Sequence, residues 1–134
     1  MSTNETKQYF DLHTTGIGYL HRLREVTPKE GSPFLSVTIA ALRGSVDNAQ
    51  YTHFECRVSG KQAQELVRQL KPAVEGNVKV RIGFTLSDLY AEVFTFKSGD
   101  KAGDTGISLK ARLLRIAWAK VDGQPFYTAQ DDAA

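Results

Sequence analysis

Apolar and polar residues alternate with a period of two along most of this chain, which is the spacing of half-buried β-strands. The cleanest run is 34–43, where Leu35, Val37, Ile39 and Ala41 point one way and Phe34, Ser36, Thr38 and Ala40 the other; the first set is expected to be core. In the run 51–58, Thr52, Phe54, Cys56 and Val58 take the core side, and Tyr51, His53, Glu55 and Arg57 form an open face. An earlier run, 15–26, contains Gly16 and Gly18, which inside a strand predict a bulge or a bend. A turn over 27–33, with two prolines and a glycine, ends that run. After residue 77, Val78, Val80 and Ile82 are expected inward and Lys79 and Arg81 outward. The strand then breaks near Ser87-Asp88 and resumes over 89–96. A glycine-bearing hairpin over 97–106 leads into a last strand, 107–121.

The period changes once. Ala63, Leu66, Val67, Leu70 and Val74 recur at helical spacing, Ser59 and Gln62 are placed to form a capping box, and Pro72 and Gly76 are expected to close the helix. Three strands, a helix and two strands predict a mainly β domain, a five-stranded OB-fold Greek-key barrel with one α-helix between strands 3 and 4. An open α+β sheet has the same element order. The glycines of the first strand and the long, bent fourth strand favour closure. One domain is expected over 13–127, flanked by flexible tails at 1–12 and 128–134, the second of them acidic.

Composition narrows the class. A chain of 134 residues can bury a sufficient core without metal or disulfide. Its single cysteine, Cys56, precludes an intrachain disulfide, and no signal-type apolar run follows Met1, so a cytoplasmic chain is expected. No stretch approaches the roughly 18 apolar residues of a membrane span. The net charge is +2, but Asp122, Asp131 and Asp132 all lie near the end, so residues 1–120 carry a surplus of five positive charges. That surplus permits a polyanionic partner without requiring one.

Single strands are held by basic groups for the backbone and by aromatic faces for the bases. Both are present on strands expected to be neighbours. Tyr51, His53 and Arg57 share a face of the third strand; Lys79 and Arg81 face outward from the fourth. Tyr90, Phe94 and Phe96 alternate on its second half and run into Lys97 and Lys101 of the hairpin; Lys110 and Arg112 return on the last strand. Phe54 and Phe84 are expected in the core; Trp118 is left open between core and surface, its period with Leu114 and Ile116 being more often that of core.

Three segments carry a resemblance. At Gly18-Tyr19-Leu20-His21-Arg22, Phe34-Leu35-Ser36-Val37-Thr38-Ile39-Ala40 and Phe54-Glu55-Cys56-Arg57-Val58-Ser59-Gly60-Lys61 the chain resembles bacterial single-stranded DNA-binding proteins in order and spacing. At Thr14-Thr15-Gly16-Ile17-Gly18-Tyr19-Leu20 and Gly106-Ile107-Ser108-Leu109-Lys110-Ala111-Arg112-Leu113-Leu114 it resembles more closely a family of small proteins carried on bacterial integrative and conjugative elements and associated with replication of that mobile DNA. The resemblance implies an OB barrel that binds single-stranded DNA. Two departures stand out. His53 occupies a position where the DNA-binding family commonly has a stacking tryptophan, and Gln130-Asp131-Asp132-Ala133-Ala134 lacks that family's acidic tip ending in Pro-Phe, so recruitment of partners by such a tip is not expected.

Catalytic patterns are weak by comparison. His13, His21 and His53 have no metal-ligand spacing with Cys56 or with a carboxylate cluster. Gly16-Ile17-Gly18 lacks the third glycine and the following helix of a dinucleotide site. A nuclease would need clustered acids for metal, and the densest acids, Asp88, Glu92, Asp100 and Asp104, fall partly in the hairpin. The sequence therefore predicts a non-enzymatic, homo-oligomeric single-stranded DNA-binding protein without cofactor, small-molecule substrate or membrane partner, acting in replication, maintenance or transfer of a mobile element. The competing expectation is a protein-interaction module whose exposed aromatics build an interface.

Overall fold

A computed structural model describes residues 8–129, and the remaining tail positions, 1–7 and 130–134, lie outside the described residues. The chain is mainly β. In order it forms β1 (His13–Val26), β2 (Phe34–Arg43), a 3₁₀ turn (Val46–Asn48), β3 (Gln50–Val58), α1 (Lys61–Glu75), β4 (Val80–Thr95), β5 (Thr105–Val121) and β6 (Gln124–Thr128). The six strands make one sheet in the order β3-β2-β1-β4-β5-β6, and β3 also pairs in parallel with β5, Phe54 opposite Leu109 and Val58 opposite Leu113. No helix among the described residues is long and apolar enough to cross a membrane.

The strand β1 serves two neighbours. Residues 13–19 pair with β4 and residues 18–26 with β2, so the handover falls at Gly18 and Tyr19. The bulge expected near the glycines lies instead at Arg22, which takes a positive φ of 51° between His21 and Arg24. The break expected at Ser87-Asp88 is likewise a bulge inside one continuous β4, with Asp88 at φ 56°.

Six strands form, where five were expected. Asp122 and Gly123 both take positive φ, 51° and 79°, as a two-residue primed turn requires, and Val121 pairs with Gln124 across it. Thr128 is therefore not tail: it pairs with Trp118, and the Ala129 N–H donates to Ala117 O at 2.8 Å.

The interior is built from alternate residues of β1 to β5, among them Leu20, Ile39, Phe54, Ile82, Leu86, Leu113 and Ile116, closed by Leu66, Val67 and Leu70 of α1. Phe54 and Phe84 meet edge to face there, 6.5 Å between centroids. The capping box does not form. Gly60 is the N-cap, and Gln62 reaches across to β5, where its amide donates to Ile116 O (2.8 Å) and accepts from Ile116 N (3.1 Å). The same Gln62 Nε2 lies 3.0 Å from the Tyr127 hydroxyl of β6. Pro72 sits inside the helix, which continues to Glu75, because the chain turns only at Gly76 and the left-handed Asn77. Val78 precedes β4 and is exposed, contrary to its expected inward position.

Candidate nucleic-acid interface

Between Phe34 and Leu42 the outward face of β2 carries only small side chains, and they are covered. Ser36, Thr38 and Ala40 are 7%, 5% and 4% exposed although none belongs to the main core cluster. Larger residues on both flanking strands shield them: Tyr19, His21 and Arg24 from β1, and Tyr51, His53, Glu55 and Arg57 from β3. A row of small residues between two rows of large ones makes a trough, and β2 is its floor.

Two depressions lie along the trough. The first, of about 310 Å³, is lined by Tyr19, His21, Ala40, Tyr51, His53 and Lys79. The second, of about 420 Å³, is lined by Arg24, Phe34, Ser36, Glu55, Arg57, Tyr90, Lys110 and Arg112. Glu55 separates them. Its carboxylate accepts from Thr38 Oγ1, 3.0 Å from each oxygen, and lies 3.6 Å from Arg24 Nη2. These partners spend the negative charge of Glu55 locally.

Rings and cations alternate along the trough. Tyr19 and Tyr51 lie 6.5 Å apart between centroids, and Tyr51 and His53 6.4 Å. Arg57 stacks on Phe34, Cζ 4.2 Å from the ring centre. Two further cations at the mouth are held by carboxylates: Lys110 by Glu92 at 3.5 Å, and Arg112 by Asp88 at 3.0 Å, with the Ser59 hydroxyl 3.3 Å from the same guanidinium. Exposed pairs of this kind contribute about 0 to 1 kcal/mol, so a phosphate can replace either carboxylate.

The structure divides the candidate residues. Tyr51, His53, Arg57, Lys79, Tyr90, Lys110 and Arg112 line the trough. Phe94, Phe96, Lys97 and Lys101 sit apart, toward the end of the β4–β5 hairpin. There the Phe94 and Phe96 rings pack edge to face 4.9 Å apart over Gly106, where a Cβ would come within 2.6 Å of Phe94. Lys101 Nζ lies 5.7 Å from the Phe96 ring. Arg81 faces a different part of the surface, beside Trp118. Trp118 is not core but half-exposed on the outer face of β5.

Sequence periodicity passed over Tyr19, Arg24 and Phe34 as lining residues. The outward parity of Phe34 relative to Leu35 was a usable signal for one of them. Arg24 had none, since the bulge at Arg22 resets the alternation of β1.

Cys56 faces inward beneath the trough and is buried. Burial, reinforced by the neighbouring Glu55 carboxylate, pushes its thiol up to about 12, which keeps it protonated and inert at neutral pH. No group of three or more His, Cys, Asp or Glu side chains able to hold a metal occurs among the described residues.

A family model described as protein of unknown function DUF3577 matches residues 3–134. The chain belongs to that family. The match spans every strand and the helix, so the trough is built wholly from family sequence. No curated protein and no solved structure matches the chain significantly.

Proposed function

We propose that this member of the family is an OB barrel that binds single-stranded DNA along the β2–β3 trough. The parallel β3–β5 pairing supports the barrel, because with it β1, β2, β3, β5 and β4 each have two neighbours; β6 is then an addition at the rim. One observation carries the functional reading: a floor of small side chains walled by Tyr19, Tyr51 and His53 at one end and by Arg57, Lys110 and Arg112 at the other. Unstacked bases need ring faces at close range and a cationic edge for the backbone, and a trough floored by Ser36, Thr38 and Ala40 leaves room for them. Duplex DNA offers neither unstacked bases nor a backbone narrow enough to lie between β1 and β3. The resemblance to mobile-element replication proteins suggests the setting, which is single strands exposed during replication or transfer of such an element.

A specific observation favours a second reading, that of an interaction module. On the opposite side of the projecting β4–β5 ribbon, Val93 and Ile107 form a cross-strand pair with each residue 68% exposed. An apolar pair left in water on a two-stranded ribbon suits a protein contact, and a second copy of this chain would supply one.

Fluorescence polarisation of labelled oligo-dT, run beside a duplex of equal length at low salt with mass measured by light scattering, separates the readings. The trough predicts binding of the single strand well in preference to the duplex. Equal affinity for both, or a protein that self-associates and binds neither, would overturn the single-strand reading.

A further inference from the structure

Trp118 has an environment that packing alone does not account for. The bulge at Ala117 turns it outward: Ile116 pairs with Phe84 and faces the core, whereas Trp118 pairs with Gly83 and faces out. Its indole lies directly over Gly83, and any side chain there would collide with the ring. Two cations approach the indole, Arg81 Cζ at 5.8 Å and Lys120 Nζ at 5.7 Å from the ring centre. Neither Arg81 nor Lys120 has a carboxylate partner among the described residues, in contrast to Lys110 and Arg112 of the trough. An aromatic ring between two unpaired cations is an arrangement that suits a base and its flanking phosphates.

The position is continuous with the trough. Tyr19, Arg81 and Lys120 lie opposite one another in a single row across β1, β4 and β5. Tyr19 in turn is the ring neighbour of Tyr51, which neighbours His53. A path of rings and cations thus leads from His53 through Tyr51 and Tyr19 to Arg81 and Trp118, four strand spacings or roughly 20 Å along the surface.

We propose that Trp118, with Arg81 and Lys120, is a second stacking site for single-stranded nucleic acid, occupied by the part of a longer strand that leaves the trough across Tyr19. This site rests on the single-strand reading of the trough and extends it. An exposed cation–π contact is weaker than a base stack, so an arriving base can displace the cations from the ring onto its own phosphates.

The chain contains one tryptophan, so its emission reports on this site alone. The test titrates the full chain with oligo-dT of about 6 and about 16 nucleotides, within the range one OB fold occupies, following polarisation and tryptophan emission together. The short strand is expected to bind without changing emission. The long strand is expected to quench it, with the same end point as the polarisation. Trp118→Ala should weaken binding of the long strand by about 5- to 100-fold and leave the short one unchanged, while Trp118→Phe restores most of the loss. Unchanged short-strand affinity also establishes that the variant is folded; if Trp118→Ala fails to fold, emission of the wild-type chain still decides. Binding of the long strand with no change in emission would overturn this site and leave the trough reading standing. A chain that binds neither length would overturn both.

Discussion

Ser36, Thr38 and Ala40 make the trough possible, because any larger side chain at those positions would raise the floor of β2 to the level of its walls. The walls themselves were readable: Tyr51, His53 and Arg57 alternate with Phe54, Cys56 and Val58, and the structure keeps that parity throughout β3. Parity failed for Trp118, which shares the odd-even phase of the buried Ile116, because a bulge at Ala117 inverts the strand between them. Periodicity has no term for an inserted residue, so an aromatic just beyond a bulge is assigned to the wrong face. His53 offers the sharpest single-residue test. It is exposed, its ring is smaller than an indole, and it lies at the end of the row that begins with Tyr19. His53→Trp is expected to tighten oligo-dT binding by about 1 kcal/mol, given about 1 to 3 kcal/mol for a full base stack, with an unchanged melting temperature. Weaker binding by a folded His53→Trp variant would argue that bases do not reach this ring.

At the level of elements, the strand pattern, the helix and their order followed from periods of 2 and 3.6, whereas β6 did not. Its signal was present: Asp122-Gly123 is a strong hairpin dipeptide, but the five residues beyond it, with Pro125 among them, make too short a run to register as a strand. The helix start was misread for a related reason. Gln62 suits a capping box by spacing, yet β3 pairs with β5 only as far as Leu113, and beyond that point the Gln62 amide takes the place of a strand on that side, bonding both the N–H and the C=O of Ile116. That long-range demand outweighs a local cap and cannot be read from neighbouring residues. Gln62→Ala would strand the Ile116 N–H and C=O together with the Tyr127 hydroxyl in a partly buried position. A loss of about 1 to 3 kcal/mol of stability is expected, measured by urea unfolding. Oligo-dT affinity should be unchanged, because Gln62 lies away from the trough.

Across the whole molecule, the small net charge conceals an uneven distribution. Arg57, Lys79, Lys110 and Arg112 border the trough, and of the two carboxylates that line it Glu55 is taken up by Thr38 and Arg24 and Asp88 by Arg112. Net charge and composition could not reveal this, since the arrangement arises only when β3 and β5 come side by side and place Arg57 opposite Arg112. The account predicts that these cations hold phosphates, and each phosphate contact to a single strand contributes a slope of about −0.7 to the dependence of log affinity on log salt. The most direct measurement is therefore polarisation of an oligo-dT of about 6 nucleotides, short enough to stay within the trough, across a series of salt concentrations. Four contacts predict a slope near −3, falling by about 0.7 for each of Arg57→Gln and Lys79→Gln. A slope near zero, or one that neither substitution alters, would contradict the account.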